Sequence, residues 1–240
     1  MPTAPAGRER DRSRLGDPET GVRAVLFDFG GVLSTSPFEA FAAYERERGL
    51  PADFLRSLNA RDHHGNAWAR MERGELSFED FGAEFEREAR DAGHEVKGAE
   101  VLALLGGRPR PAMIEVVRRC RQRYLVGLAT NNFGALPAAE TPAAAPAETP
   151  AEPAETGVAG VLSLFDEVVE SWRIGVRKPE VGFFEVCCTR LGIEPDEAVF
   201  IDDLGVNLKP ARQMGMTTIK FETEDQAIAD LEAALRLPLR

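Results

Sequence analysis

The 240-residue sequence has few cysteines and no pattern that would give them a structural task. Only Cys120, Cys187 and Cys188 occur, so they cannot all pair, and the adjacent two are poorly placed to bridge. No CxxC or Cys/His metal spacing is present. The pattern excludes a disulfide scaffold and a cysteine-bound zinc, and it predicts a reducing, cytoplasmic environment.

Long apolar runs and an excess of basic charge are also absent. No segment approaches the ~20 apolar residues that a membrane helix needs, and the charged N-terminal residues lack the apolar core of a signal peptide. The chain carries 40 acidic against 29 basic residues, for a net charge of -11. This balance disfavours a general attraction to nucleic acid or to an anionic membrane. We expect neither partner, and the oligomeric state stays open.

Two tracts lack the periodicity of regular secondary structure. Residues 1–20 are rich in Arg, Asp, Pro and Gly, and they cannot bury enough apolar surface to offset the entropy of ordering. Residues 137–157 form an Ala/Pro/Glu/Thr repeat whose spaced prolines block helices and strand ladders alike. We therefore expect a disordered tail at 1–20 and a flexible surface insertion at 137–157.

The remaining sequence, in a chain that is 43% hydrophobic, alternates short apolar runs with amphipathic stretches. This pattern predicts βα units around a parallel sheet, which is an α/β fold. The predicted strands are Val22–Phe27, Leu125–Ala129, Ala198–Ile201 and Thr217–Phe221, with Phe165–Glu170 as a candidate fifth. The predicted helices are Pro111–Arg123, Glu180–Leu191, Asn207–Met214 and Asp225–Leu235.

Residues 37–106 show a different pattern. Helical spacing runs throughout this stretch, as in Phe78, Phe81 and Phe85, and no convincing strand interrupts it. We therefore predict an all-helical block, 37–106, inserted after the first strand of an α/β core formed by 21–36 and 107–240.

Polar residues follow directly after three of the predicted strands. The first strand ends at Asp28, the second at Thr130–Asn131 and the third at Asp202–Asp203. Lys178 precedes Pro179 at the start of a predicted helix between the second and third strands. Because ligands bind at the carboxyl ends of parallel strands, we expect these side chains to share one crevice.

Together these residues have the chemistry that phosphoryl transfer needs. Carboxylates hold Mg²⁺ through hard oxygen ligands, while Lys178 and the metal neutralise the oxygens of the transferring group. Thr130 can donate a hydrogen bond to one of those oxygens. Simpler interpretations also exist, in which Asp202–Asp203 only caps a helix, Lys178 is a surface lysine before a first-turn proline, and Thr130–Asn131 is a turn.

The ordered set resembles the four motifs of the haloacid dehalogenase superfamily. Asp28 matches the first motif, Thr130 the second, Lys178 the third and Asp202–Asp203 the fourth, and the resemblance covers about Val22 to Phe221. The helical block resembles the cap of subfamily I, which is inserted into a Rossmann-like, three-layer core. The segments ESWRIGVRKPE and DDLGVNLKPARQMGM are most similar to the phosphatase domain of soluble epoxide hydrolase and to domains fused to acyl-CoA dehydrogenases.

This resemblance implies a mechanism and a magnesium site. Asp28 would attack the phosphorus of a small phosphorylated metabolite to give an aspartyl-phosphate, which water then hydrolyses. Lys178 would bind both Asp28 and the phosphoryl group. The remaining implied roles are metal binding by Asp28, Asp203 and the main-chain carbonyl of Gly30, support of the metal's waters by Asp202 and Asn207, and substrate binding by Thr130 and Asn131.

One position departs from the family pattern. Phosphatases of this family usually carry a second aspartate two residues after the first, but here the sequence reads Asp28–Phe29–Gly30. Glycine cannot act as a general acid or base, and such catalysis typically raises the rate ~10²–10⁴-fold. The substrate could have a good leaving group, another carboxylate or a cap residue such as His63 or His64 could serve, or turnover could be lost.

Two alternative functions follow from this departure. A carbon–halogen hydrolase keeps the nucleophile and the lysine but needs no metal, and the acidic pair would repel its anionic substrate. A non-catalytic module that binds phosphate or a partner could also keep the fold. We favour the phosphohydrolase, and we expect aryl, acyl or anomeric phosphates to react faster than alkyl esters.

Overall fold

A computed structural model describes residues 16–134 and 158–240. Most of the predicted tail and the whole predicted insertion therefore lie outside the described residues. The fold is α/β, with eleven α-helices, one short 3-10 helix and five strands in the described part of the chain. No helix among these residues is long and apolar enough to cross a membrane.

The five strands form one parallel sheet in the order β3-β2-β1-β4-β5. The strands are β1 (Ala24–Phe27), β2 (Leu125–Thr130), β3 (Glu167–Glu170), β4 (Ala198–Asp202) and β5 (Thr217–Lys220). All five predicted strands are present, and β1 is central, with all four of its residues buried. The predicted α/β, Rossmann-like parallel sheet is confirmed.

Helices cover both faces of the sheet. They are α6 (Pro111–Cys120), α7 (Val158–Leu162), α8 (Ser171–Ile174), α9 (Val181–Leu191), α10 (Gly205–Gln213) and α11 (Glu224–Leu235). Alternate strand residues face opposite ways, so Val25 and Phe27 pack against α6 and α11, whereas Leu26 and Phe200 pack against α9 and α10. The result is a three-layer core with a hydrophobic cluster on each side.

Five helices lie between β1 and α6. They are α1 (Phe38–Arg48), α2 (Phe54–Ala60), α3 (Ala67–Glu72), α4 (Phe78–Asp91) and α5 (Gly98–Ala103). No strand occurs in this described segment, and its helices bury a separate hydrophobic cluster. Phe81 and Phe85, one turn apart on α4, are fully buried in that cluster, as helical spacing requires. We call these five helices the cap.

The structure differs from the sequence prediction at residues 16–20, which were expected to be disordered. Asp17 is buried, its Oδ1 accepts a hydrogen bond from the Glu19 N–H at 2.8 Å, and Arg123 approaches its Oδ2 at 3.2 Å. The Gly16 N–H also donates to the Arg123 carbonyl at 3.3 Å. A local aspartate turn and one ion pair therefore order a segment whose composition alone predicts disorder.

Candidate active site

The strand order explains why the acidic residues meet. In β1, Phe27 pairs with Leu128 of β2 on one side and with Ile201 of β4 on the other. The next residue, Asp28, therefore lies between the ends of two neighbouring strands, and its N–H donates to the Ile201 carbonyl at 3.0 Å. The parallel register thus brings Asp28, Thr130 and Asp202 to one edge of the sheet.

Lys178 reaches the same edge from the loop between α8 and α9. The Asn131 side chain holds its backbone at two points: Oδ1 accepts from the Lys178 N–H at 2.9 Å, and Nδ2 donates to the Lys178 carbonyl at 3.0 Å. Asn131 was predicted to bind substrate. Its side chain is engaged in positioning Lys178, and a substrate contact stays a prediction.

Lys178, Asp28 and Asp202 form a buried ion cluster. The Lys178 Nζ lies 2.8 Å from Asp28 Oδ1 and 2.7 Å from Asp202 Oδ2. Asp202 is fully buried and also accepts from Asn207 Nδ2 at 3.0 Å and from the Leu204 N–H at 2.8 Å. Asp202 therefore positions Lys178, and its role is not limited to capping a helix.

The two oxygens of Asp28 have different surroundings. Oδ1 accepts from Lys178 and from the Phe29 N–H, at 2.8 and 2.7 Å. Within the described residues Oδ2 accepts no hydrogen bond, and Asp28 lines a cavity. Oδ1 is therefore held by hydrogen bonds, and Oδ2 is the oxygen that could act as a nucleophile.

Asp203 completes the acidic group and lies close to Gly31. Oxygen atoms of Asp28, Asp202 and Asp203 lie within 4.8 Å of one another. A Cβ on Gly31 would come within 2.3 Å of Asp203 Oδ2, and Gly31 has a φ of +84°, which side chains disfavour. Gly31 therefore allows Asp203 to reach the other two carboxylates.

A single lysine faces three carboxylates, so the cluster carries excess negative charge. Burial and the neighbouring Asp202 and Asp203 raise the pKa of Asp28 well above its ordinary value, although Lys178 opposes them. Burial and Asp202 raise the pKa of Asp203 to about 6. Burial alone would lower the pKa of Lys178, but the two carboxylates raise it above its usual range. The lysine stays charged.

This donor set fits a hard divalent cation. Asp28 and Asp203 can supply the oxygen ligands that Mg²⁺ prefers, and an oxygen of Asp202 lies within 4.8 Å of theirs. A cation there would also offset the excess charge that raises the pKa of Asp28 and Asp203. Gly30, whose carbonyl was predicted as a ligand, lines the same cavity beside Asp28 and Asp203.

The cavity above these residues has a volume of about 700 Å³ and lies between core and cap. Its floor, as we use the term, consists of Asp28, Thr130, Lys178 and Asp203, with Asp202 buried beneath them. Its roof consists of cap residues, namely Phe38, Phe41, Arg56, His63, Trp68 and Glu72. His64, which was considered with His63, does not line the cavity.

Glu72 ties the roof to the floor, and sequence reasoning missed it. Its buried carboxylate accepts from Arg177, from Asn131 Nδ2 at 3.2 Å and from Trp68 Nε1 at 3.0 Å. Arg177 also donates to the His63 carbonyl at 2.8 Å. The one available signal was the i,i+4 spacing of Trp68 and Glu72 on α3. The core residues that bind Glu72 are distant from it in sequence.

These features define a Rossmann-like α/β core with a capped, acidic site. Residues 22–215 match the model of the haloacid dehalogenase-like hydrolase family, so the chain belongs to this family of enzymes. It is 32% identical over 223 residues to mouse acyl-CoA dehydrogenase family member 10, a match that covers 90% of this chain and 19% of that protein. It is 27% identical over 228 residues to pig bifunctional epoxide hydrolase 2, covering 88% and 38%.

The chain thus spans less than two fifths of the length of these two relatives. A shorter match of 63 residues, 34% identical, links 26% of this chain to 28% of glyceraldehyde 3-phosphate phosphatase from Methanocaldococcus jannaschii. A magnesium complex of a family enzyme from Bacteroides thetaiotaomicron shares the fold at a TM-score of 0.55 and 20% identity, covering 84% and 94% of the two chains. The predicted superfamily resemblance is confirmed.

Proposed function

We propose that this chain is a Mg²⁺-dependent phosphohydrolase that acts on a small phosphate monoester through an aspartyl-phosphate on Asp28. The observation that carries the proposal is the floor itself. One lysine is shared by two buried carboxylates, a third carboxylate lies beside them, and one oxygen of Asp28 is left without a partner among the described residues. With a bound cation such a site would balance the charge of a phosphoryl group, and Asp28 offers that group a nucleophile.

In the proposed first step Asp28 Oδ2 attacks phosphorus while Oδ1 stays hydrogen-bonded to Lys178 and to the Phe29 N–H. The bond between phosphorus and the ester oxygen breaks, and the leaving group departs as an oxyanion that takes its proton from water. Lys178 neutralises the developing charge on the phosphoryl oxygens, and the Thr130 hydroxyl donates to one of them. Water then attacks phosphorus, breaks the bond to Asp28 and regenerates the carboxylate.

Asp28, Asp203 and the Gly30 carbonyl would hold Mg²⁺, with Asp202 and Asn207 in support. The cation would supply Lewis-acid stabilisation of the phosphoryl charge. Asp202 contributes by fixing Lys178, because its oxygens are already bound to Lys178, Asn207 and Leu204.

The floor has no general acid at position 30, which determines the substrates we expect. A leaving group of low pKa departs without protonation, whereas an alkoxide needs a proton. We therefore expect aryl, acyl or anomeric phosphates to be hydrolysed faster than alkyl phosphates. Equal rates across a series of leaving-group pKa values would contradict this expectation.

Because Gly30 cannot act as a general acid, two alternatives stay open: a carbon–halogen hydrolase and a non-catalytic phosphate-binding module. The first works without a metal, and the acidic cluster argues against it: Asp203 has no lysine partner among the described residues, and three clustered carboxylates would repel a haloacid. The second requires no nucleophile, yet Asp28 retains a free oxygen at the cavity.

The test is phosphate release from p-nitrophenyl phosphate and a panel of esters, with Mg²⁺ or with EDTA, by wild type and Asp28→Asn. We expect turnover that needs both Mg²⁺ and Asp28 and returns when Mg²⁺ is added back after EDTA. Sustained turnover of chloroacetate in excess chelator would establish the carbon–halogen reaction instead. Tight binding of esters with no product over hours would establish the binding module.

A further inference from the structure

The cavity is much larger than a phosphoryl group requires. Its volume of about 700 Å³ falls in the range of sites for complete small molecules, and the floor uses only its lower part. The aromatic rings of Phe38, Phe41 and Trp68 line the roof above the floor. An organic group attached to a phosphoryl group on the floor would therefore meet an aromatic surface, which favours an apolar body.

Arg56 differs from the other cations that line the cavity. In the described part of the chain, Arg177 is paired with Glu72 and Lys178 with Asp28, and these carboxylates also line the cavity. Arg56 is paired at 3.3 Å with Asp53, which is outside the lining and whose side chain is 69% exposed. A pair so exposed to solvent contributes little, so the guanidinium is available to a ligand.

The position of Arg56 is also defined by its neighbours. Its guanidinium carbon lies 4.4 Å from the centre of the Phe38 ring, which holds the planar group against the aromatic roof. Arg56 and Asp203 line the same cavity, Arg56 in the roof and Asp203 on the floor. A planar guanidinium in this position suits a carboxylate, which it can bind through two parallel hydrogen bonds.

We propose that Arg56 is a specificity-determining residue that binds a carboxylate on the organic part of the phosphate ester. The substrate would thus carry two anionic groups, a phosphoryl group on the floor and a carboxylate under the roof, joined by an apolar body. This inference rests on the proposed function only for the binding of the phosphoryl group on the floor.

Arg48 offers a matched control in the same cap. It also lies over an aromatic ring, 5.5 Å from the centre of Tyr44, and is paired at 2.5 Å with Glu100. Its side chain is 50% exposed, against 51% for Arg56, but it does not line the cavity. Replacing either arginine by glutamine therefore removes a similar set of cap contacts, and only one replacement changes the cavity.

The test is binding of benzylphosphonate and its 3- and 4-carboxy derivatives, measured by titration calorimetry with Mg²⁺ present. Phosphonates are not hydrolysed, so the measurement is independent of turnover. We expect wild type and Arg48→Gln to bind at least one carboxy derivative about tenfold more tightly than benzylphosphonate, the value of a charge-assisted hydrogen bond. In Arg56→Gln that preference should fall below about twofold.

Each other outcome has a defined meaning. Binding of benzylphosphonate with no preference for a carboxylate in wild type, or a preference that survives in Arg56→Gln, would overturn this inference and leave the proposed function standing. Absence of binding by every phosphonate, together with no phosphate release from any ester, would overturn the proposed function and this inference with it.

Discussion

The floor and the roof of the cavity are built in different ways. The floor consists of polar side chains at strand ends together with Lys178, and beneath it Asp202 and Asn207 are joined to Lys178 by a network of buried hydrogen bonds. The roof consists of aromatic rings and of half-exposed polar residues such as Arg56, which packs mainly within the cap. We infer that the sheet sets the chemistry, whereas the cap sets what the chemistry acts on.

The largest expected effect comes from removing the central charge of the floor with Lys178→Met. Asp28 and Asp202 would lose their shared partner, and leaving buried charges unpaired costs about 3–5 kcal/mol. Activity should fall by on the order of 10³-fold, because one preorganised donor to the phosphoryl group is gone. Urea unfolding and phosphate release measure the two effects.

A roof-side ion pair provides the comparison for Lys178. Arg70 of the cap is paired with Glu84, and both side chains are partly exposed. Arg70→Gln should cost about 1 kcal/mol or less, since surface pairs contribute little. Equal destabilisation by the two variants would mean that the floor is no more tightly organised than the cap surface.

Gly30→Asp should change the floor in the opposite direction by supplying the missing acid. A Cβ at Gly30 would meet nothing within 4 Å, and Gly30 does not have a positive φ. We expect hydrolysis of alkyl phosphates to rise by on the order of 10²-fold, with a smaller gain for aryl phosphates. The isosteric Gly30→Asn lacks the acid and should give no gain. A gain from both variants would assign the effect to shape instead of proton transfer.

Sequence reasoning succeeded where the sheet decides position. Strand ends in a parallel sheet share one edge, so Asp28, Thr130 and Asp202 could be placed together from apolar runs alone. Helix boundaries were less accurate: α6 was expected to reach Arg123 but ends at Cys120, where the chain tightens into turns.

The roof and its link to the floor could not be derived in the same way. Glu72 and Arg177 are 105 positions apart in sequence, and no periodicity connects them. The hydrogen bonds from the Asn131 side chain to the Lys178 backbone were not predicted, and the contact of Asn131 with substrate stays a prediction. The direction of a side chain in the cap depends on tertiary packing, which a pattern of apolar residues leaves undetermined.

Lowering the pH should weaken Mg²⁺ binding on the floor, because Asp203 takes up a proton. Asp203 has a pKa of about 6, above its ordinary value of 3.8, so the folded protein binds this proton more tightly than the unfolded chain. This group therefore stabilises the metal-free protein as the pH falls from 6 toward 4, and the stabilisation is lost as the pH rises through 6. Mg²⁺ needs the ionised form.

Affinity for Mg²⁺ should accordingly fall by up to about tenfold per pH unit below pH 6. Titration calorimetry with MgCl₂ between pH 7.5 and 5.0 checks this, and Asp203→Asn should bind more weakly with a flatter pH dependence. A pH-independent affinity in wild type would remove Asp203 from the set of metal ligands.

The smallest effect is expected from Glu72→Gln, which loosens the attachment of the roof. Glu72 is buried, burial raises its pKa, and it accepts from Arg177 and Asn131, so the loss of its charge weakens the contact of the cap with the loop that carries Lys178. We expect KM to rise about fivefold, the value of ~1 kcal/mol, with kcat nearly unchanged. Glu75→Gln, at an exposed carboxylate nearby, should leave both constants unaltered. A large fall in kcat with an unchanged KM would place Glu72 in the chemistry itself, and the division between a catalytic floor and a selective roof would no longer hold.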